Sequence, residues 1–192
     1  MRRARAVLCS LWLGISSLSS IPARASQLPR ASEVVEPHAY ASLEPVPRGR
    51  AFELAVVAKI RPGFHINAHE VSQDYLIPTQ LETQLPPGLR DLGTVYPRAA
   101  LRAFSFSPVK LSVYENSVTL RMKLQAAPDA PLGAQKLNLT LHYQACNQEA
   151  CLPPVKLPVT AELEIAPAGT AARPAHPEVF QEPAQSRTRP SR

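Results

Sequence analysis

Several things are scarce or missing in this chain of 192 residues. It has no surplus of one charge once its ends are set apart, no long apolar run outside the first 25 residues, no ten-residue stretch of helical period, no internal repeat, and three cysteines. The formal charge of +6 is partly local: Arg2, Arg3, Arg5 and Arg24 stand before residue 26 with no acid among them, leaving 17 basic against 15 acidic residues. A net of +2 with no one-signed patch speaks against a nucleic-acid binder. Without a second run near the ~20 apolar residues that a spanning helix needs, no membrane span is expected in the mature chain. Proline is abundant instead. The 21 prolines exclude a mostly helical protein, because each removes an N–H and crowds a helix interior.

Residues 1–25 read as a secretory signal: a basic start, an apolar stretch from Val7 to Ile21, and Ala23-Arg24-Ala25 as a small-x-small cleavage site before Ser26. An uncleaved anchor is the alternative, but the stretch is short for one. Cys9 falls inside this segment, so the mature chain keeps Cys146 and Cys151, an even number in an oxidising compartment. Residues 26–34 are expected to be a flexible segment. Residues 167–192, with five prolines and little apolar besides Val179 and Phe180, are expected to be a disordered Pro-rich tail.

Between these flanks, residues 35–166 are dominated by period-two alternation. Phe52, Leu54, Val56, Ala58 and Ile60 alternate with more polar neighbours, as do Val118, Leu120, Met122 and Leu124, then Leu137 to Tyr143, then Val155 to Ile165. Each pattern implies one buried and one wet face. Val109 to Tyr114 predicts a shorter strand, joined to the one from Val118 in a hairpin at Glu115-Asn116-Ser117, where Asn can take the left-handed conformation. Tyr75 to Glu82 and Asp91 to Tyr96 add two more. About seven short strands predict an all-β, immunoglobulin-like antiparallel β-sandwich, with a small barrel as the alternative.

Cys146 and Cys151 flank four residues between two predicted strands, a hairpin tip that can bring the Cα atoms within the ~4.4–6.8 Å a disulfide requires. Pro153-Pro154 stiffens the exit. A disulfide closing about six residues contributes only roughly 2 kcal/mol in the chain-entropy model, so the pair would be a weak staple. Three readings stand: a redox centre, a structural staple, or two thiolates of a metal site completed by histidines such as His65, His69 and His142. The metal reading ranks last, since no second cysteine pair exists. With no helix N-terminus nearby, Glu149 inside the loop and Lys156 the nearest cation, the thiols are expected to be ordinary, the activated thiolate coming from a partner. A cysteine nucleophile with His and Asn, as in a protease, would be disabled by oxidation. Asn138-Leu139-Thr140 matches a glycosylation acceptor but lies in a predicted strand, and His38 and His176 are read as solvated.

The run Tyr143-Gln144-Ala145-Cys146, followed by Cys151 and Pro153-Pro154, resembles the active-site segment of the N-terminal (alpha) domain of the DsbD thiol:disulfide interchange family. Pro62 to Asn67, Asp74 to Thr79 and Leu111 to Leu120 extend the resemblance over most of the central region. It implies an immunoglobulin-like fold in the periplasm and a relay of electrons from a thioredoxin-like domain to periplasmic thiol proteins such as disulfide isomerases or cytochrome c maturation factors. It also implies that Cys146 and Cys151 are the redox-active disulfide, that Val95 and Tyr96 with Pro97 form a cap, and that Phe64, His65 and Asn67 line the pair. Phe104 and Phe106 are the alternative source of an aromatic shield, and Tyr143 belongs either to the core or against the disulfide.

This chain departs from the family pattern in three ways. The cysteine spacing is one residue shorter, Gly93 and Thr94 stand where acidic residues precede the cap, and the chain ends where that family continues into a membrane domain, so a separate membrane electron donor is expected. The resulting expectation is a component of protein-disulfide reduction, with thioredoxin-fold partners and neither cofactor nor metal. The alternative is a non-enzymatic β-sandwich binding module with a structural disulfide.

Overall fold

The computed structural model describes residues 28–181. In chain order its strands are β1 (Val35–Ala41), β2 (Leu43–Glu44), β3 (Val46–Pro47), β4 (Ala51–Ile60), β5 (His65–Asn67), β6 (Gln80–Gln84), β7 (Leu89–Val95), β8 (Ala100–Arg102), β9 (Leu111–Glu115), β10 (Ser117–Ala126), β11 (Gly133–Tyr143), β12 (Ala145–Cys146), β13 (Val155–Ala166) and β14 (Arg173–Pro174). A 3-10 turn at Ala31–Glu33 precedes them, and a helical turn, α1 (Pro177–Phe180), follows.

Two larger sheets, β1-β4-β10-β7 and β3-β13-β11-β6, enclose the main core. Their registers place like with like. Leu54 faces Met122 and Val56 faces Leu120 across β4 and β10, while Leu139 faces Val159 across β11 and β13. Leu54, Val56, Leu120, Leu137 and Leu141 are all fully buried. Each such side chain contributes about 1.5–3 kcal/mol when removed from water, which is why the long alternating stretches became strands. The result is the all-β, immunoglobulin-like sandwich expected from the patterning.

A third sheet, β12-β5-β9-β8, is made by strands that leave the first two. It forms where β4 ends, β10 begins and β11 ends. Asn116 has a positive φ of 60°, as its turn residues predict, and its carbonyl accepts the Ile60 N–H at 2.7 Å. The turn does not close a hairpin, however. β9 pairs with β5 and β8, and β10 with β4 and β7, so Asn116 marks a corner where the chain changes sheets.

Other expectations are corrected at the edges. The strand predicted from Tyr75 starts only at Gln80; Pro78 interrupts it, and Tyr75 is largely exposed. β1 has no counterpart in the sequence reading, because Pro37 and His38 break its alternation. As the edge strand of its sheet it tolerates a proline that a central strand would reject. Gly88 shows where a side chain is forbidden: at φ +83° a Cβ would lie 2.5 Å from the Ala130 Cα.

Neither flank is loose where it is described. Val34 is buried in the main core, and the Tyr143 hydroxyl donates to the Ala31 carbonyl at 2.7 Å. After β13 the chain doubles back: β14 pairs with β2, the Ala175 N–H donates to the Ser42 carbonyl, and the Arg121 guanidinium donates to the Val179 carbonyl. Residues 167–181 are thus laid against the sandwich rather than disordered. Backbone pairing and the ring contact of Tyr40 with His176 supply what side-chain hydrophobicity could not. The expected signal at 1–25 and the end of the tail, 182–192, lie outside the described residues.

Candidate functional site

Cys146 and Cys151 are joined by a disulfide with an S–S distance of 2.06 Å. The hairpin holding it is shaped by its backbone. The Asn147 N–H donates to the Ala150 carbonyl and the Leu152 N–H to the Ala145 carbonyl, so the cysteines face one another as a non-hydrogen-bonded antiparallel pair, the kind with the closest Cα atoms. The separation is 3.9 Å, below the range expected from spacing alone. At the tip the Asn147 carboxamide oxygen accepts the Glu149 and Ala150 N–H groups at 2.9 and 2.8 Å, an Asx turn that closes the loop without help from the sulfurs.

Burial divides the pair. Cys146 is fully buried and Cys151 is exposed. The difference follows from position, because Cys146 lies within β12 and pairs with β5, whereas Cys151 lies on the outer arm of the hairpin.

The third sheet sets the neighbours of Cys146. Its partner across β5 is His65, whose partner across β9 is Glu115, and directly opposed residues share a face. Cys151, Cys146, His65 and Glu115 therefore form one transverse row. Arg102 of β8, paired in register with Leu111, reaches it through its side chain, its Nε donating to Glu115 at 2.7 Å. Ile66, Tyr114 and Ala145 alternate to the opposite face and join the main core. On the cysteine side a second, smaller core of Leu76, Phe104, Leu111 and Val113 covers the sheet.

His65 is 2% exposed, its ring stacked on Phe104 with centroids 4.1 Å apart, and Phe104 stacks in turn on Phe106. Burial pushes the imidazole down to about pH 4, the Glu115 carboxylate opposing the shift, so the ring is neutral at pH 7. His65 Nε2 is buried without a hydrogen-bond partner among the described residues. Beside the Cys146 strand, the Asn67 carboxamide donates to the Ile77 carbonyl and to Gln144 Oε1, and Gln144 Nε2 donates to the Leu152 carbonyl at 3.3 Å. This amide chain ties both arms of the hairpin to the body.

Among the residues expected to surround the pair, His65 and Asn67 are brought to it. Phe64 shares with His65 a recess reaching Gln148 at the hairpin tip. Val95 and Tyr96 are elsewhere. Val95 is exposed at the end of β7, while the Tyr96 ring stacks on His69 at 3.6 Å and its hydroxyl accepts the Leu81 N–H. Residues 103–110 reach the hairpin: Phe104 and Phe106 stack, and the Ser105 hydroxyl donates to the Gln148 carbonyl at 3.0 Å. Tyr143 belongs to the main core, and burial raises its phenol to about 12. It points away from the disulfide because residue 143 is still in β11, before the chain crosses at Gln144. Gln144, Ser105 and Glu115 went unread, since no local pattern marks residues that meet only across strands.

Among the described residues no three His, Cys, Asp or Glu side chains gather as metal ligands, and no helix is long and apolar enough to cross a membrane. Residues 31–162 match the family model described as thiol:disulfide interchange protein DsbD, N-terminal. No curated protein matches the chain. Solved structures similar to it include the reduced N-terminal domain of DsbD from Neisseria meningitidis, at 19% identity and TM-score 0.40, covering 77% of this chain and 95% of that one. Another is the N-terminal periplasmic domain of ScsB from Proteus mirabilis, at 12% identity and TM-score 0.44, covering 66% of this chain and 44% of that one. With a family match over most of its length and a disulfide set in an all-β sandwich, this chain belongs to the DsbD N-terminal family.

Proposed function

We propose that this protein is a periplasmic relay that exchanges electrons between a thioredoxin-fold reductant and thiol proteins of the disulfide-isomerase or cytochrome c maturation type, reached through export of the chain and cleavage before Ser26. The observation that carries this reading is the unequal burial of a bonded cysteine pair, Cys151 exposed and Cys146 buried where β12 pairs with β5. A partner thiolate attacks Cys151 Sγ, the S–S bond breaks, and its electron pair leaves on Cys146. The partner's second thiolate then attacks the partner sulfur of the mixed disulfide and releases Cys151. The partner dithiol is oxidised, the pair is reduced, and two electrons have moved. The reverse sequence passes them on. A membrane electron donor supplies them in this scheme.

The hairpin's own hydrogen bonds support exchange over a staple. The Asx turn and the amide chain through Gln144 hold both arms without the sulfurs, so opening the bond leaves a formed site. The test is trapping. Mixed with an oxidised thioredoxin-fold protein, the reduced Cys146→Ser variant should accumulate a mixed disulfide at Cys151, and the reduced Cys151→Ser variant should not. A pair with a reduction potential below about −300 mV that exchanges with no such protein would mark a structural staple instead.

A further inference from the structure

When the disulfide opens, the sulfur left on Cys146 stands in a fully buried position. A thiolate there is disfavoured by lost hydration, so a proton must arrive as the bond breaks and must leave again when Cys146 attacks. The titratable, polar and aromatic groups on this side of the sheet, around His65 and the hairpin, can be named element by element. From β5 comes His65, from β9 Glu115, from β8 Arg102 already paired to Glu115, and from residues 103–110 Phe104, Ser105 and Phe106. The hairpin tip adds Glu149, which is exposed.

We propose that His65 carries the proton to and from Cys146, exchanging it with water on the Glu115 side. The proposal rests on the exchange reading above. Three observations carry it. His65 is the direct cross-strand partner of Cys146 on the shared face of the sheet, where side chains meet across about 5 Å. Its Nε2 is buried with no partner among the described residues, although a buried ring nitrogen ordinarily has one. A recess of about 160 Å³, lined by Gly63, Phe64, His65, Glu115, Asn116 and Gln148, lies on the ring and has room for water. The stack on Phe104 holds the plane of the imidazole.

The step balances within the ring. As the S–S bond breaks toward Cys146, one ring nitrogen gives its proton to Cys146 Sγ and the other takes one from water in the recess, the hydroxide so formed passes to bulk solvent, and the imidazole is left neutral in the opposite tautomer. In the reverse direction the Cys146 thiol gives its proton to one ring nitrogen as its sulfur attacks Cys151 Sγ of the mixed disulfide, the other ring nitrogen returns a proton to the recess water, and the partner sulfur leaves as thiolate.

Single-turnover reaction of the reduced protein with the chromogenic disulfide of thionitrobenzoate separates the events. Cys151 attacks and releases one thionitrobenzoate; Cys146 then resolves the mixed disulfide and releases the second. His65→Phe keeps the ring stack and removes both nitrogens. The expected result is an unchanged first phase and a second phase slowed at least tenfold at pH 6, within the 10²–10⁴ range of general acid–base assistance. The pH profile should change too. The wild-type second phase should be nearly flat below the pKa of the thiol, and that of His65→Phe should rise about tenfold per pH unit with the thiolate fraction. His65→Gln, which preserves polarity, should behave like His65→Phe and serves in its place if that variant does not fold. Equal second phases with parallel pH profiles in wild type and variant would overturn the role of His65 and leave exchange standing. A wild-type protein with no second phase would overturn the exchange reading itself.

Discussion

The Ser105 hydroxyl donates to the Gln148 carbonyl at 3.0 Å, fastening the aromatic loop to the tip of the cysteine hairpin. Two segments 43 positions apart are joined beside the disulfide by this hydrogen bond. On the same loop, Phe104 is held by its stack on His65. Movement of this loop away from the hairpin is therefore opposed by a polar contact at the tip and by the packing of Phe104 on His65 and the smaller core.

Removing the polar attachment should loosen the cover without unfolding the protein. An exposed neutral hydrogen bond contributes about 0.5–1.5 kcal/mol, equivalent to a roughly 2- to 10-fold change in an opening equilibrium. Ser105→Ala is expected to raise the rate of reduction by dithiothreitol within that range, measured by thiol release under native conditions, while the urea midpoint stays almost constant. An unchanged rate would show that the loop does not limit access.

The neutral state of His65 makes stability depend on pH. The unfolded imidazole titrates near 6.5 and the folded one near 4, so between those values the unfolded chain holds a proton that the folded one refuses. Unfolding free energy should therefore fall as pH drops through this window, by about 3 kcal/mol between pH 7 and pH 4. Urea titrations of wild type and His65→Phe at the two pH values test this: the variant should lose about that much less on acidification.

Tyr143 is expected to matter for the fold and not for exchange. Its hydroxyl holds the Ala31 carbonyl at 2.7 Å and so anchors the segment that buries Val34. Tyr143→Phe should cost about 1 kcal/mol in urea denaturation and speed amide exchange near Val34. The rate of mixed-disulfide formation at Cys151 should be unaltered. A slower exchange reaction would return Tyr143 to the site.

Legibility in the sequence followed the length of the pattern. β4, β10, β11 and β13 alternate over many residues, and the solvent-facing and core-facing sets can be read one strand at a time. β5, β8 and β12 have three residues or fewer, too few for a period to show. Which aromatic ring lies beside His65 was hidden for a related reason. Tyr96 and Phe104 are both aromatic residues near strand ends, and local sequence does not distinguish the ring that stacks on His69 from the one that stacks on His65.

Local chemistry was thus enough to settle the long strands β4, β10, β11 and β13, the hairpin that brings two cysteines together, and the left-handed Asn116 turn, because each depends on residues within a few positions of one another. Long-range pairing alone settled which cysteine is buried, which loop meets the hairpin tip, and that a histidine lies between Cys146 and Glu115. Those relationships join segments tens of residues apart through backbone hydrogen bonds, and such bonds leave no periodic mark on the residues they connect.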